Sequence, residues 1–110
     1  MKKTKRVSIV TNSGIKHFAT LLQINRKKKS MSIAELSVRL GVSYPTVQNM
    51  LNGVATVAIG TYFEAAYILG VSLFESDQNR FTILTSKSKG LEILLPKRVK
   101  TKKVELDDDF

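Results

Sequence analysis

Two short amphipathic segments separated by only two residues constrain this chain most. Ser32 and Glu35 stand three residues apart ahead of an apolar series, which is the spacing of a reciprocal capping box at a helix start. Gly41 suits the left-handed C-cap of that helix, and Ser43 is the N-cap candidate of the next. Pro45 then falls at a second helical position, where its missing N–H costs no hydrogen bond. We predict two short helices joined by a tight turn.

Further helices are predicted on both sides of this pair. The apolar spacing from residue 15 to residue 22 marks one face of a first helix that ends in the basic run NRKKKS. A fourth helix is expected over residues 61–69, closed by Gly70, and VSLFES is expected to add a short last turn. The residues expected to face the core are Ile15, Phe18, Ala19, Leu22, Ile33, Leu36, Leu40, Tyr62, Ala65, Ala66, Leu69, Val71, Leu73 and Phe74. Together these elements predict a mostly α, five-helix domain.

The C-terminal third leaves two interpretations open. FTILT and LEILL, separated by a glycine-containing loop, favour a β-hairpin because Thr82, Ile83 and Thr85 prefer strands. The alternative is a helix with Phe81, Leu84, Leu91 and Leu95 on one side. Pro96 ends either element, and a tail that is basic first and acidic last follows. The predicted organisation is a basic arm over 1–12, the helical domain over 13–76, and an extension with its tail over 77–110.

Composition excludes several classes of function. The chain has 110 residues, no cysteine and one histidine, His17. Disulfides, thiolate sites and metal sites built from several histidines are therefore excluded. No enzyme, cofactor or metal is predicted, and no apolar run reaches the ~20 residues of a membrane helix, so a cytoplasmic protein is expected. The net charge of +9, concentrated in residues 1–30 and 87–103, suits a polyanion such as DNA. A solvated basic surface is the alternative.

The helix that follows the tight turn carries no charge. On a helical wheel Val47, Met50 and Leu51 share one side, which we expect to face the core. The opposite side carries Pro45, Gln48, Asn49 and Asn52, with Tyr44 and Thr46 on its flanks. Neutral amides, hydroxyls and apolar carbons can discriminate among base edges in the major groove, while lysines elsewhere attract the phosphates. This helix is therefore predicted to specify the DNA sequence, the alternative being a helix-turn-helix used only for protein contacts.

The segments SIAELSVRLGVSYPTVQNMLNG and TYFEAAYILGVSLFE resemble the XRE-type helix-turn-helix family of phage Cro and repressor proteins. The resemblance covers residues 15–75 and implies a compact lambda-repressor-like fold that binds double-stranded DNA. It places base reading at Tyr44, Pro45, Thr46 and Asn49. It places phosphate contacts at Ser32, Ser43, Gln48 and Asn52.

Two departures from the family pattern change the expected phosphate contacts. Leu51 stands where many members carry a glutamate paired with the arginine at Arg26, so Arg26 is expected to be free to point at DNA. The loop VATVAIG also lacks the basic residues that commonly touch phosphate after the reading helix. Phosphate binding is therefore assigned to basic residues elsewhere, namely Arg26, Lys27, Lys28, Lys2, Lys3, Lys5 and Arg6, with the tail as an alternative.

These features predict a transcriptional repressor that acts as a homodimer on a palindromic operator. The order of a helix-turn-helix domain and a short charged extension also resembles HipB-like antitoxins, which implies a HipA-like toxin kinase as partner. The tail residues assigned to that partner are Asp107, Asp108, Asp109 and Phe110. Alternatives are a phage or chromosomal repressor without a toxin, a protein inhibitor in which DNA binding is secondary, or a tail that screens the basic arm or is merely solvated.

Overall fold

Five α-helices make up the regular structure of the described residues. The structure is a computed structural model that describes residues 7–73 and 77–98. The chain divides into two units after Leu73. The first holds α1 (Ile9–Lys28), α2 (Ile33–Leu40), α3 (Tyr44–Leu51) and α4 (Ile59–Leu69), and the second holds α5 (Gln78–Leu94). The mostly α fold predicted from the sequence is confirmed.

The first helix begins earlier than its apolar pattern indicated. Ser8 is the N-cap of α1, and its hydroxyl accepts a hydrogen bond of 3.1 Å from the Thr11 N–H. Residues 9–12 are therefore helical, and the expectation of an arm reaching residue 12 is wrong for them. Residues 1–6, with the rest of that arm, lie outside the described residues. The helix ends in the basic turn that the sequence predicted.

The capping signals around the tight turn are confirmed. The Ser32 hydroxyl accepts from the Glu35 N–H at 3.0 Å, and the Glu35 carboxylate accepts from the Ser32 N–H at 3.3 Å. Gly41 ends α2 in the left-handed conformation, with φ 71°. Ser43 caps α3 by accepting from the Thr46 N–H at 3.2 Å, and Pro45 is the second residue of the helix.

One apolar core fixes α3 against the other helices of the first unit. α2 packs on α3 and α4, and α1 packs on α3 and α4. The buried core residues are Leu22, Met31, Leu36, Val47, Met50, Leu51, Tyr62, Ala65, Ala66 and Leu69, with Ala19 also buried beside them. Every residue of α1 to α4 that the sequence predicted to face the core is buried or packs against this cluster.

The fourth helix is also close to its prediction. It begins at Ile59, two residues before the expected start at Thr61, and ends at Gly70 in the left-handed conformation. Tyr62 connects it to the loop after α3, because its hydroxyl donates to the Val54 carbonyl at 2.7 Å. Its ring stacks on Phe18 with centroids 5.6 Å apart. Burial raises the pKa of the Tyr62 phenol.

The fifth helix is not where the sequence placed it. Residues 71–73 contain no helical turn, although Val71 packs on the core as predicted, and Phe74 lies outside the described residues. Leu73 is exposed rather than packed inward. The described residues thus hold five helices, but the fifth is α5 of the second unit rather than a turn over residues 71–73.

The predicted β-hairpin is wrong, because residues 78–94 form α5. Asp77 caps its start by accepting from the N–H groups of Asn79 and Arg80 at 2.9 and 3.3 Å. Thr82 and Thr85, whose side chains favour strands, instead donate to the carbonyls of residues 78 and 82 within the helix. The Asp77 cap thus favours a helix start here, and both threonine hydroxyls find acceptors within the helix. The tail beyond residue 98, with Asp107, Asp108, Asp109 and Phe110, lies outside the described residues.

Candidate nucleic-acid interface

The outer face of α3 has the composition predicted from the helical wheel. Val47, Met50 and Leu51 are buried in the core. Pro45, Gln48, Asn49 and Asn52 are exposed on the other side. Because three buried residues anchor so short a helix, its outward side chains are held at fixed positions on the surface. We call Pro45, Gln48, Asn49 and Asn52 the reading face and α3 the reading helix, after the role predicted for them.

The two flanking residues differ in how much they present to solvent. Tyr44 is 46% exposed, so about half of its side chain is available to a ligand. Thr46 is half-buried, and its hydroxyl lies 2.8 Å from the Ser43 hydroxyl. The Thr46 hydroxyl is therefore already paired inside the N-cap, which leaves its methyl group as the part best suited to a thymine methyl.

A family comparison identifies the arrangement. A model of helix-turn-helix proteins matches residues 22–76, which is half of the chain and contains the whole segment from α2 through α4. The chain belongs to the helix-turn-helix family. The match supports the XRE-type resemblance, and the helix-turn-helix protein is a DNA-binding transcription regulator. No individual curated protein and no solved structure matches the chain significantly.

In this helix-turn-helix protein the reading face is uncharged, and α3 carries no acid in its first turn and no base in its last. Side-chain amides present both a donor and acceptors, so they can form paired hydrogen bonds with an adenine edge. Within the described residues, no hydrogen bond engages the side-chain amides of Gln48, Asn49 or Asn52. These groups are thus available to a ligand without breaking a contact of the fold.

The two serines predicted to contact phosphate, Ser32 and Ser43, also cap helices. Ser32 uses its N–H and one acceptor position of its hydroxyl in the capping box. A serine hydroxyl also carries one proton, which can donate to a phosphate oxygen while the cap stays in place. Ser43 caps α3 through its hydroxyl alone, and its proton is available to a phosphate when the Thr46 hydroxyl is the donor of the bond between the two side chains. Their phosphate contacts stay predictions, compatible with both caps.

Arg26 departs from the role predicted for it. Its Nε donates to the Gln23 amide oxygen at 2.7 Å, and one terminal nitrogen donates to the Met31 carbonyl at 2.8 Å. Arg26 is half-buried and closes the connection between α1 and α2. Arg26 is therefore held by the fold rather than free, with the carbonyl at the turn as acceptor in place of the absent glutamate, and a phosphate contact through its remaining N–H groups stays a prediction.

The remaining basic candidates are placed only in part. Lys27 and Lys28 are exposed in the last turn of α1, and a phosphate contact for them stays a prediction. Lys2, Lys3, Lys5 and Arg6 lie outside the described residues. No group of three or more metal-binding side chains comes together in residues 7–73 and 77–98. In the same ranges no helix is both long and apolar enough to span a membrane.

One basic residue that the sequence patterns did not single out lies at the end of the reading helix. Gly53 follows α3 with φ 75°, and Lys16 of α1 lies directly against it. A Cβ atom added to Gly53 would lie 2.8 Å from Lys16 Cγ and 3.0 Å from Lys16 Cα. The glycine after the helix was the only sequence signal of so close an approach, and it did not indicate the partner.

Proposed function

We propose that this protein is a sequence-specific repressor that binds a palindromic operator as a homodimer. The observation that carries the proposal is the exposed and uncharged reading face on a helix anchored by Val47, Met50 and Leu51. A surface that bound phosphate alone would gain most from lysine and arginine. Neutral amides can contact phosphates, though more weakly than cations do, and they can also distinguish bases, so the reading face suits the major groove.

The dimer follows from the size of the domain and the geometry of DNA. A single small module buries about 600–1,000 Å² on DNA, less than tight specific binding normally uses. Two copies related by a two-fold axis would place their reading helices in successive major grooves, about 34 Å apart. Such a regulator would act in the cytoplasm, by covering its operator.

The experiment begins by selecting binding sites for the full chain from random DNA. The proposal expects two inverted half-sites whose centres are about 10 base pairs apart. Asn49→Ala should then weaken binding to the selected operator by about 1–3 kcal/mol, while binding to unrelated DNA stays nearly constant. Gln48→Ala is the contrast, because a lost phosphate contact weakens both DNAs alike.

Two results would contradict the proposal. Failure of selection to enrich any sequence would leave only nonspecific attraction between the basic chain and DNA. An equal loss on both DNAs for Asn49→Ala would remove this residue from base reading. Sedimentation of the protein with and without the operator gives the stoichiometry, and one protomer per palindrome would refute the dimer.

A second candidate function is that of an antitoxin. It is favoured by the sequence of the C-terminal end, where ELDDDF places acids and an aromatic residue in a chain of net charge +9. Such an end would be repelled by DNA, but it could bind a basic pocket of a HipA-like kinase. Co-expression with the product of the adjacent gene tests this. The full chain should co-purify with that protein, and a chain truncated after Val104 should not, while both bind DNA.

A further inference from the structure

The contact between Lys16 and Gly53 brings a cation to the end of the reading helix. Gly53 is buried, and a Cβ atom placed on it would meet the Cγ, Cα and Cβ atoms of Lys16 at 2.8, 3.0 and 3.4 Å. The first part of the lysine side chain is thus packed against the backbone that follows Asn52. Only the outer part of the side chain is left to extend into solvent, as the exposed state of the residue shows.

The charge of Lys16 is not used inside the described part of the fold. No acidic side chain pairs with it in residues 7–73 and 77–98. Because its stem is already packed, Lys16 loses less conformational freedom on binding an anion than a lysine that is free along its whole length. The residue therefore presents a positive charge at a restricted position beside Asn52.

The reading helix and the loop that follows it supply no cation of their own. α3 itself is uncharged, and residues 54–60, which follow Gly53, contain no lysine or arginine. A helix inserted in the major groove has phosphates on both sides, so the end of α3 should lie near a backbone phosphate. At that end the neutral amide of Asn52 would otherwise face the phosphate alone.

We propose that Lys16 binds the DNA backbone phosphate beside Asn52, in place of a basic residue in the loop after α3. The proposal rests on the function proposed above and names the cation that holds this end of the reading helix. Lys16 supplies a phosphate contact that is independent of sequence, whereas the reading face supplies discrimination.

The test is the salt dependence of DNA binding by the full chain. Lys16→Met keeps the packed stem and removes the charge, and Lys16→Arg keeps both. Lys29→Met is the matched control, because Lys29 also lies against a helix-ending glycine: its Cε is 4.0 Å from a Cβ built on Gly70. That contact is at the end of α4, and the two lysines are about 20 Å apart along α1.

For Lys16→Met we expect the slope of log affinity against log salt to become shallower by about 0.9 per protomer. The change should be the same on the operator and on unrelated DNA of equal length. Lys16→Arg and Lys29→Met should keep the slope of the unmodified chain. A purely structural role for Lys16, such as favourable interaction with the carbonyl end of α3, would change the melting temperature without changing the slope.

Three outcomes overturn the proposal. An unchanged slope for Lys16→Met shows that this lysine does not neutralise a phosphate, even if operator binding by the unmodified chain confirms the repressor function. Equal changes for Lys16→Met and Lys29→Met show a general effect of net charge. If the unmodified chain does not bind DNA at all, both the repressor function and the role of Lys16 are refuted. An unchanged slope with operator binding retained refutes the role of Lys16 alone.

Discussion

Among the glycines that end helices with a positive φ, Gly53 is the one whose replacement by alanine should lower the free energy of unfolding most. Gly53 has φ 75°, and holding an alanine in the left-handed region costs roughly 1–2 kcal/mol. The new methyl group would also lie 2.8 Å from Lys16 Cγ and 3.0 Å from Lys16 Cα. The second atom belongs to the backbone of α1 and cannot rotate away. Overpacking of this kind adds about 1–3 kcal/mol, so we expect a total loss of about 2–5 kcal/mol.

Gly41→Ala separates the two contributions. Gly41 has φ 71°, but a Cβ atom there meets nothing within 4 Å. Its replacement should therefore cost only the conformational part, about 1–2 kcal/mol. The difference between the two variants isolates the close approach of α1 to the loop. Adding Lys16→Ala to Gly53→Ala should recover part of that difference, because it removes the contact with Cγ but not the contact with Cα.

Urea denaturation of the full chain, followed by helical circular dichroism, measures these losses. A stability change should move the midpoint of unfolding and leave its slope unchanged. In thermal melts each kcal/mol should lower Tm by about 4–8 °C for a domain of this size. If Gly53→Ala costs no more than Gly41→Ala, the α1 backbone does not approach the loop as closely as described. Full recovery in the double variant would show that only the flexible side chain was in the way.

Two further predictions concern side chains that hold the helices. Ser32→Ala should lower the free energy of unfolding by about 0.5–2 kcal/mol in denaturant melts, because the Glu35 N–H loses its cap; no change would place the start of α2 elsewhere. Tyr62→Phe should cost about 1–3 kcal/mol by leaving the Val54 carbonyl unpaired. Since the Tyr62 pKa is raised, its contribution is complete below the ordinary value of 10.0 and lost as pH rises through the folded value. Tyr62→Phe should therefore flatten the alkaline loss of stability, and equal pH profiles would refute this.

The sequence was most informative where a local rule sets the structure. The capping box at Ser32, the left-handed Gly41 and the N-cap at Ser43 involve neighbours only a few residues apart, so their spacing determined α2 and α3. The start of α1 was missed because Ile9 and Val10 are exposed and do not follow the apolar period. There the Ser8 cap, rather than burial, begins the helix.

Contacts between distant segments could not be predicted in the same way. The expectation for Arg26 rested on position 51, where Leu51 stands in place of an acidic partner. The hydrogen-bond partners of Arg26 are instead Gln23 and the Met31 carbonyl. Nothing in the local pattern around Lys16 indicates that it meets Gly53, because the contact depends on how α1 crosses the end of α3. The hairpin predicted for the C-terminal extension was wrong for a different reason. α5 has no buried residue, so no buried face was present in the sequence pattern to distinguish a helix from strands.

The division of α3 into an anchored side and an exposed side also bears on how such regulators diversify. Val47, Met50 and Leu51 secure the helix, and the exposed positions 45, 48, 49 and 52 contribute nothing to the core. Substitutions at those four positions can therefore accumulate with little selection against them from folding. A duplicated copy of this gene could acquire a new set of target promoters through a handful of mutations while keeping one scaffold. With the base-reading role proposed for it, the helix would also be a suitable cassette for building sets of regulators that do not cross-react in one cell.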